Sequence, residues 1–385
     1  MEKATSYLEK AALYGALEQE EKAINYVNQA IQLEPENTAG YSLRSMLYVQ
    51  LEQFRNALPD INKCITLEPE YAGHCFDRGF IYELLKEYDK AISDYSKALL
   101  LDYDEKQLIY RDRGNLYFKL KEYDKAISDF SELIALEPDN VEHYESRASV
   151  YLSLGEYDKA GLDFDKMIAL DSDSPEAYNE RANFYSAIKE YDKAIADCNT
   201  AISLDNTFFL AYFNRAASYI QLENYKKAFE NYDMVMKIDP DDETVYINRG
   251  NAYKSLKQYD KALADFNMAI EKDDTNPAAY FGRASLYEEL EDYKQAVSDY
   301  TKAIDMGLED ENSYYGRGNA YQQLGRYKMA ISDYSQAICA DPNYKDAYLK
   351  RAEIYHLIGK TEKTIEDEAA AQKISDISRA KRVVL

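Results

Sequence analysis

Tryptophan is absent from the chain, and histidine nearly so: His74, His143 and His356 are the full set. Three dispersed imidazoles make neither a metal-ligand spacing nor a triad. No GxGxxG and no phosphate loop occurs. The carboxylates are many but recur at helical spacing, as on a solvated face, so no catalytic residue, cofactor or metal site is expected. Cysteine is scarce: Cys64, Cys75, Cys198 and Cys339, with no CxxC. The first three replace core residues of a repeating pattern described below, and a thiol there acts as a small hydrophobe. That usage suits a reducing compartment, and a cytoplasmic location is expected. No apolar run approaches the length of a bilayer span. The opening stretch MEKATSYLEK has neither the apolar core nor the cleavage site of a signal peptide. Net positive charge is missing too. The formal charge is −24 and the isoelectric point about 4.6, which excludes the basic footprint of a nucleic-acid or anionic-membrane binder. Two readings of the acidity stand: a solvated exterior that keeps the chain soluble, or an acidic groove for a basic partner.

What the chain has in excess is tyrosine, 38 of them, and they are periodic. In the stretch from Tyr246 to Ala269, with Tyr246 numbered position 4, small residues fall at positions 8, 20 and 27 (Gly250, Ala262, Ala269). Large ones fall at 4, 11, 17 and 24 (Tyr246, Tyr253, Tyr259, Phe266). Each set lies on one face of a helix. The turn between them, Ser255–Gln258, corresponds to segments elsewhere that carry Gly155, Gly325 or Gly359. Two antiparallel helices therefore form the unit, and such a hairpin must stack on neighbours to bury its apolar face. Position 4 recurs at Tyr7, Tyr41, Cys75, Tyr110, Tyr144, Tyr178, Tyr212, Tyr246, Tyr280, Tyr314 and Tyr348. These are eleven repeats 34 residues apart, except for a step of 35 into Tyr110. Pro35, Pro69, Pro138, Pro240 and Pro342 follow second helices, Pro175 and Pro277 open first helices, and Pro59 alone sits within a helix.

This Gly/Ala/aromatic pattern resembles the tetratricopeptide repeat family, with tyrosine at position 4 where that family often has tryptophan. The resemblance implies an all-α, right-handed solenoid of stacked helix-turn-helix hairpins. It makes residues 1–374 one array with atypical first and last repeats. Residues 375–385 form a short basic tail (Arg379, Lys381, Arg382), read as lying back on the last groove or as a frayed end.

Position 7, usually apolar in that family, is arginine in ten repeats here. Position 23 is aspartate in nine: Asp60, Asp94, Asp129, Asp163, Asp197, Asp265, Asp299, Asp333 and Asp367. Where Lys10 replaces the arginine, the aspartate is lost as well. We expect a ladder of forked ion pairs within or between repeats, formed by Arg78/Asp94, Arg113/Asp129, Arg147/Asp163, Arg181/Asp197, Arg249/Asp265, Arg283/Asp299 and Arg317/Asp333, with Arg44 and Arg351 at the ends.

By the same resemblance, partners dock on the concave face lined by first helices. Acids outnumber bases there: Glu83, Glu142, Glu145, Glu176, Glu288, Glu289, Asp346 and Glu353 against Arg111, Lys119 and Lys254. Asn115, Asn183, Asn251 and Asn319 recur at position 9 in alternate repeats, as amides suited to an extended peptide or as the trace of a duplication. Phe76, Phe80, Leu84 and Phe118 form one apolar group, and Leu210, Phe213 and Ile220 another. They are anchors for a partner or packing for a neighbouring helix. Phe281 and Tyr315, equivalent to Phe76, complete the expected partner-binding set. The carboxylate clamp that binds chaperone tails is broken: Arg111 and Asn115 imitate its first pair, but Ser146, Glu176 and Glu180 occupy its other positions. The implied function is a non-catalytic scaffold for a protein or peptide, of basic chemistry if the groove is acidic. A peptide-responsive regulator and an accessory subunit that presents substrates to an enzyme are the alternatives.

Overall fold

The computed structural model describes residues 2–383, with side chains from 3 to 376. Among the described residues all regular structure is helical. The elements are α1 (Glu2–Ala16), α2 (Glu20–Leu33), α3 (Thr38–Gln50), α4 (Phe54–Leu67), α5 (Ala72–Leu84), α6 (Tyr88–Leu100), α7 (Lys106–Lys119), α8 (Tyr123–Leu136), α9 (Val141–Leu154), α10 (Tyr157–Leu170) and α11 (Pro175–Ala187). They continue as α12 (Tyr191–Leu204), α13 (Phe209–Gln221), α14 (Tyr225–Ile238), α15 (Glu243–Ser255), α16 (Tyr259–Lys272), α17 (Pro277–Glu289), α18 (Tyr293–Asp305), α19 (Glu311–Gln323), α20 (Tyr327–Ala340), α21 (Lys345–Leu357) and α22 (Thr361–Val383). Two compact units result, Met1–Phe184 and Tyr185–Leu385, each an all-α solenoid of hairpins. No helix among the described residues is long and apolar enough to cross a membrane.

Each first helix ends the same way. Position 15 adopts a left-handed backbone throughout, from Glu18 (φ 54°) to Lys257 (φ 55°), with glycine only at Gly155, Gly325 and Gly359. The amide of position 16 then donates back to the carbonyl of position 11, as Glu122 does to Tyr117 at 2.8 Å. This closes the helix and starts the next one two residues later. The connection to the following repeat is tied by the position-4 hydroxyl. Tyr41 donates to the Pro35 carbonyl at 3.1 Å and Tyr144 to that of Pro138 at 2.9 Å. An indole could not reach that oxygen in the same way, which gives tyrosine a role at this position. Tyrosine at position 11 carries a lysine from position 19 over its ring, as Lys125 over Tyr117 at 5.2 Å and Lys227 over Tyr219 at 5.0 Å.

The core is built from alanine and one larger residue at position 24, a ring in repeats three to five and seven to ten, and Val27, Ile61 and Cys198 in repeats one, two and six. Ala262, Phe266 and Ala269 are fully buried. The Phe266 ring lies so near Gly250 and Gly282 that a Cβ on Gly282 would stand 2.4 Å from it.

The arginines join three helices. Nε and Nη2 of Arg44, Arg78, Arg113, Arg147, Arg249, Arg283, Arg317 and Arg351 donate to the two carboxylate oxygens of Asp60, Asp94, Asp129, Asp163, Asp265, Asp299, Asp333 and Asp367 at 2.6–2.9 Å. Each fork lies within one hairpin. The remaining Nη1 reaches the second helix of the preceding repeat: Arg78 to Asn62 at 2.7 Å, Arg147 to Ser131 at 3.0 Å, Arg317 to Thr301 at 3.2 Å. Arg181 makes this backward contact to Asp165 at 2.7 Å, and Asp197 is buried. In repeat seven Arg215 donates to Asn231 at 2.8 Å, and Asn231 donates onward to the Lys227 carbonyl. In repeat one Lys10 lies 5.9 Å over the rings of Tyr7 and Tyr26, and Tyr26 stacks on Tyr14. At Asp129 burial outweighs the Arg113 fork and holds the carboxyl above its ordinary range. Such a pair fixes register more than it adds net stability.

At the C-terminal end Glu368 is exposed, while Asp367 and Thr364 are buried. Residues 375–383 of the basic tail continue α22, which runs to Val383. The side chains of Arg379, Lys381 and Arg382, and with them the expected docking on the last groove, lie outside the described ones.

Two outcomes follow for urea unfolding of the full chain followed by circular dichroism. Gly155→Ala, with nothing within 4 Å of a new Cβ, loses only the left-handed backbone preference, about 1 kcal/mol. Gly282→Ala forces Phe266 aside and costs more, about 2–3 kcal/mol. Asp265→Ala leaves Arg249 without its fork and costs about 3 kcal/mol. Asp265→Asn, which copies the Arg215–Asn231 arrangement, costs about 1 kcal/mol. Equal losses for the two Asp265 variants would contradict the forked geometry.

Candidate functional site

First helices of successive repeats frame small pockets. In the N-terminal unit a pocket of about 230 Å³ lies between α3 and α5, lined by Ser45, Met46, Val49, Asp77 and Phe80. Met46 and Phe80 are exposed large apolar residues. In the C-terminal unit a pocket of about 200 Å³ lies between α13 and α15, with Ile220, Tyr232 and Asn251 among its walls. Another, of about 280 Å³, lies between α17 and α21, with Glu288, Asn319, Gln322 and Lys350 in its lining.

Several carboxyls of the first helices are perturbed by burial. Burial holds the carboxyls of Asp77, Glu83, Glu145 and Glu288 above the usual carboxylate range. Glu145 is pushed further by Glu180 and Glu142. Glu83 accepts from the Tyr95 hydroxyl at 2.8 Å and Glu288 from Tyr300 at 3.0 Å. Lys254, half-buried beside Glu288 and Glu289, donates to Ser285 at 2.8 Å, and desolvation lowers its pKa. No group of histidine, cysteine and carboxylate among the described residues could hold a metal ion. His74 and His143 each face a glutamate six residues back, Glu68 and Glu137, at 3.0 and 2.7 Å. Burial raises the thiols of Cys64 and Cys198 to about 12, which leaves them protonated and unreactive.

The sequence-derived partner residues separate into two groups. Phe80 stands at the pocket mouth, 42% exposed. Arg111, Asn115, Lys119 and Asn183 are exposed, Arg111 paired with its neighbour Asp112 at 2.8 Å and Lys119 lying 4.6 Å over Tyr88. Asn251 lines its pocket. The position-5 aromatics are half-buried, because each leans on the position-24 ring of its own hairpin. Phe76 lies 5.7 Å from Tyr95, Phe213 5.8 Å from Tyr232, Phe281 5.6 Å from Tyr300 and Tyr315 5.7 Å from Tyr334. Phe76 is covered further by Tyr103, stacked at 5.0 Å from the connection that carries the extra residue. Phe118 turns into its own hairpin against Tyr123. Asn319 accepts from Tyr334 at 2.8 Å, so it is partly engaged. The Tyr95–Glu83 and Tyr300–Glu288 contacts escaped the sequence reading, although tyrosine at 24 with an acid or amide at 12 was a visible signal.

By structure the chain is similar to a chain of the APC/C hetero-tetramer Cut9–Hcn1, with TM-score 0.50, 15% identity, and coverage of 97% of this chain and 88% of that one. It is similar also to yeast Tom70, with TM-score 0.50, 17% identity, and coverage of 99% and 98%. Both likenesses concern the fold. No curated protein matches the sequence. Tetratricopeptide repeat matches cover residues 4–37, 39–71, 75–105, 111–175, 175–208, 209–242, 244–276, 277–306 and 312–344. With the hairpins, their period and these matches in agreement, the chain belongs to the tetratricopeptide repeat family.

Proposed function

We propose that the chain is a non-catalytic interaction scaffold that holds an extended, basic segment of a partner protein along the first-helix faces of its repeats. The observation that carries this reading is the set of carboxyls at Asp77, Glu83, Glu145 and Glu288. Burial raises all four, and none belongs to an ion pair among the described residues. A cation brought to such a group replaces lost solvation and is favoured over a neutral ligand. Phe80 and Met46 beside Asp77 offer an apolar anchor next to a charge, which suits an aliphatic side chain adjoining a lysine or arginine. The family makes a protein-binding role the coarse expectation, and these groups supply its chemistry.

Calorimetry with peptides that alternate leucine and lysine should show binding that weakens with salt, and weakens several-fold with Phe80→Ala. Equal binding of glutamate-substituted peptides would overturn the reading. Binding should strengthen as pH rises through the raised carboxyl pKa values, with proton release detected in buffers of different ionisation enthalpy.

Glu145 provides a test without ligand. Its folded pKa lies above the unfolded one, so the ionised carboxyl costs stability at neutral pH, and that cost disappears as pH falls through the folded pKa. Glu145→Gln should therefore raise Tm at pH 7, with the gap closing on acidification. A lower Tm at pH 7 would contradict a desolvated, unpaired carboxylate.

A further inference from the structure

The position-24 tyrosines of repeats three, nine and ten have partners on their own first helix. Tyr95 donates to Glu83 at 2.8 Å, Tyr300 to Glu288 at 3.0 Å and Tyr334 to Gln322 at 2.7 Å. All three acceptors stand at position 12 of the repeat. Repeat seven has the same tyrosine without the acceptor. Position 12 is Ile220 there, and position 9, which serves Tyr334 through Asn319, is Ala217. Tyr232 is 3% exposed as a residue; among the described residues its hydroxyl has no protein acceptor, and it is not sealed from solvent. Burial pushes its pKa up to about 12, so it stays protonated and remains a donor. It borders the cavity of about 200 Å³ between α13 and α15.

The rest of that cavity is neutral. Ala217, Ile220 and Ala252 form apolar walls, and Gln221, Asn248 and Asn251 supply amides. The Asn248 amide donates to the Thr244 carbonyl at 2.9 Å. Asn251 makes no side-chain hydrogen bond among the described residues, so it can both donate and accept. No charged group perturbs Tyr232. A buried carboxylate would find no cation in the lining, and a purely apolar side chain would leave the hydroxyl unpaired.

We infer that this cavity is a specificity subsite for a carboxamide side chain, glutamine above all, of the bound segment. The glutamine stem lies along the apolar walls, its carbonyl accepts from the Tyr232 hydroxyl, and its NH2 donates to the oxygen of Asn251. The assignment rests on the extended-segment reading above and adds a neutral, hydrogen-bonding position to a binding face that is otherwise acidic.

Tyr232→Phe is the decisive variant, because phenylalanine already occupies this slot at Phe130, Phe164 and Phe266. The variant removes only the hydroxyl, and it should leave the free protein as stable or more so. A basic host peptide with glutamine, glutamate or methionine at its central residue is titrated against the full wild-type chain and the variant. The expected result is a preference for glutamine over methionine of about five- to tenfold in wild type, lost in Tyr232→Phe. Equal binding of the three peptides, or a preference that survives in the variant, overturns the subsite and leaves the scaffold reading standing. If no host peptide binds, the basic-segment reading fails instead. The subsite is then judged by NMR titration with N-acetylglutamine N-methylamide. Saturable shifts of the Tyr232 ring, absent with the methionine analogue, support it, and no shift overturns it.

Discussion

The constraint on which the rest depends is the three-armed arginine at position 7. A hairpin of two helices could slide or rotate against the next one at little cost in apolar contact, since alanine surfaces are smooth. The fork from Arg249 to Asp265 fixes the two helices of one hairpin in register, and the backward arm to Asp233, at 3.3 Å, fixes that hairpin on its predecessor. Buried groups that must be satisfied together specify one arrangement even where their net contribution to stability is small. The aromatic slots then follow. With the backbones held, Phe266 falls between Gly250 and Gly282, where an added Cβ would stand 3.1 Å and 2.4 Å from its ring.

Much of this was legible in the sequence because it recurs. Arginine at 7 with aspartate sixteen residues on is a repeated pair, and the loss of both in repeat one marked them as linked. The third arm was not legible, because its acceptors vary among Asn62, Ser131, Asp165 and Thr301 and share only polarity. The partner residues were the least legible. Position 5 reads as surface on a helical wheel, yet Phe76, Phe213 and Phe281 each lean on a ring from the other helix of the hairpin. The covering of Phe76 by Tyr103 depends on how a one-residue insertion folds, which periodicity does not encode. Phe80 and Asn251 needed the pockets around them before their exposure acquired meaning.

The same regularity explains where recognition can reside. A ladder that repeats is occupied with holding the array, so distinctive chemistry appears where a repeat departs from the pattern. Ile220 in place of an acid or amide leaves Tyr232 without its usual acceptor. On the proposed reading, Glu145, flanked by Glu180 and Glu142, and Glu288, beside Lys254 and Glu289, stand where burial would strengthen their response to an incoming cation.

The most direct measurement of the central claim is the NMR spectrum of the arginine Nε–H groups in the deuterated full chain at neutral pH. The forked geometry predicts separate, slowly exchanging signals from the ladder arginines, each moving when its own aspartate is changed to alanine. A single averaged signal in fast exchange with water would show arginines free in solution and would contradict an array held in register by these pairs.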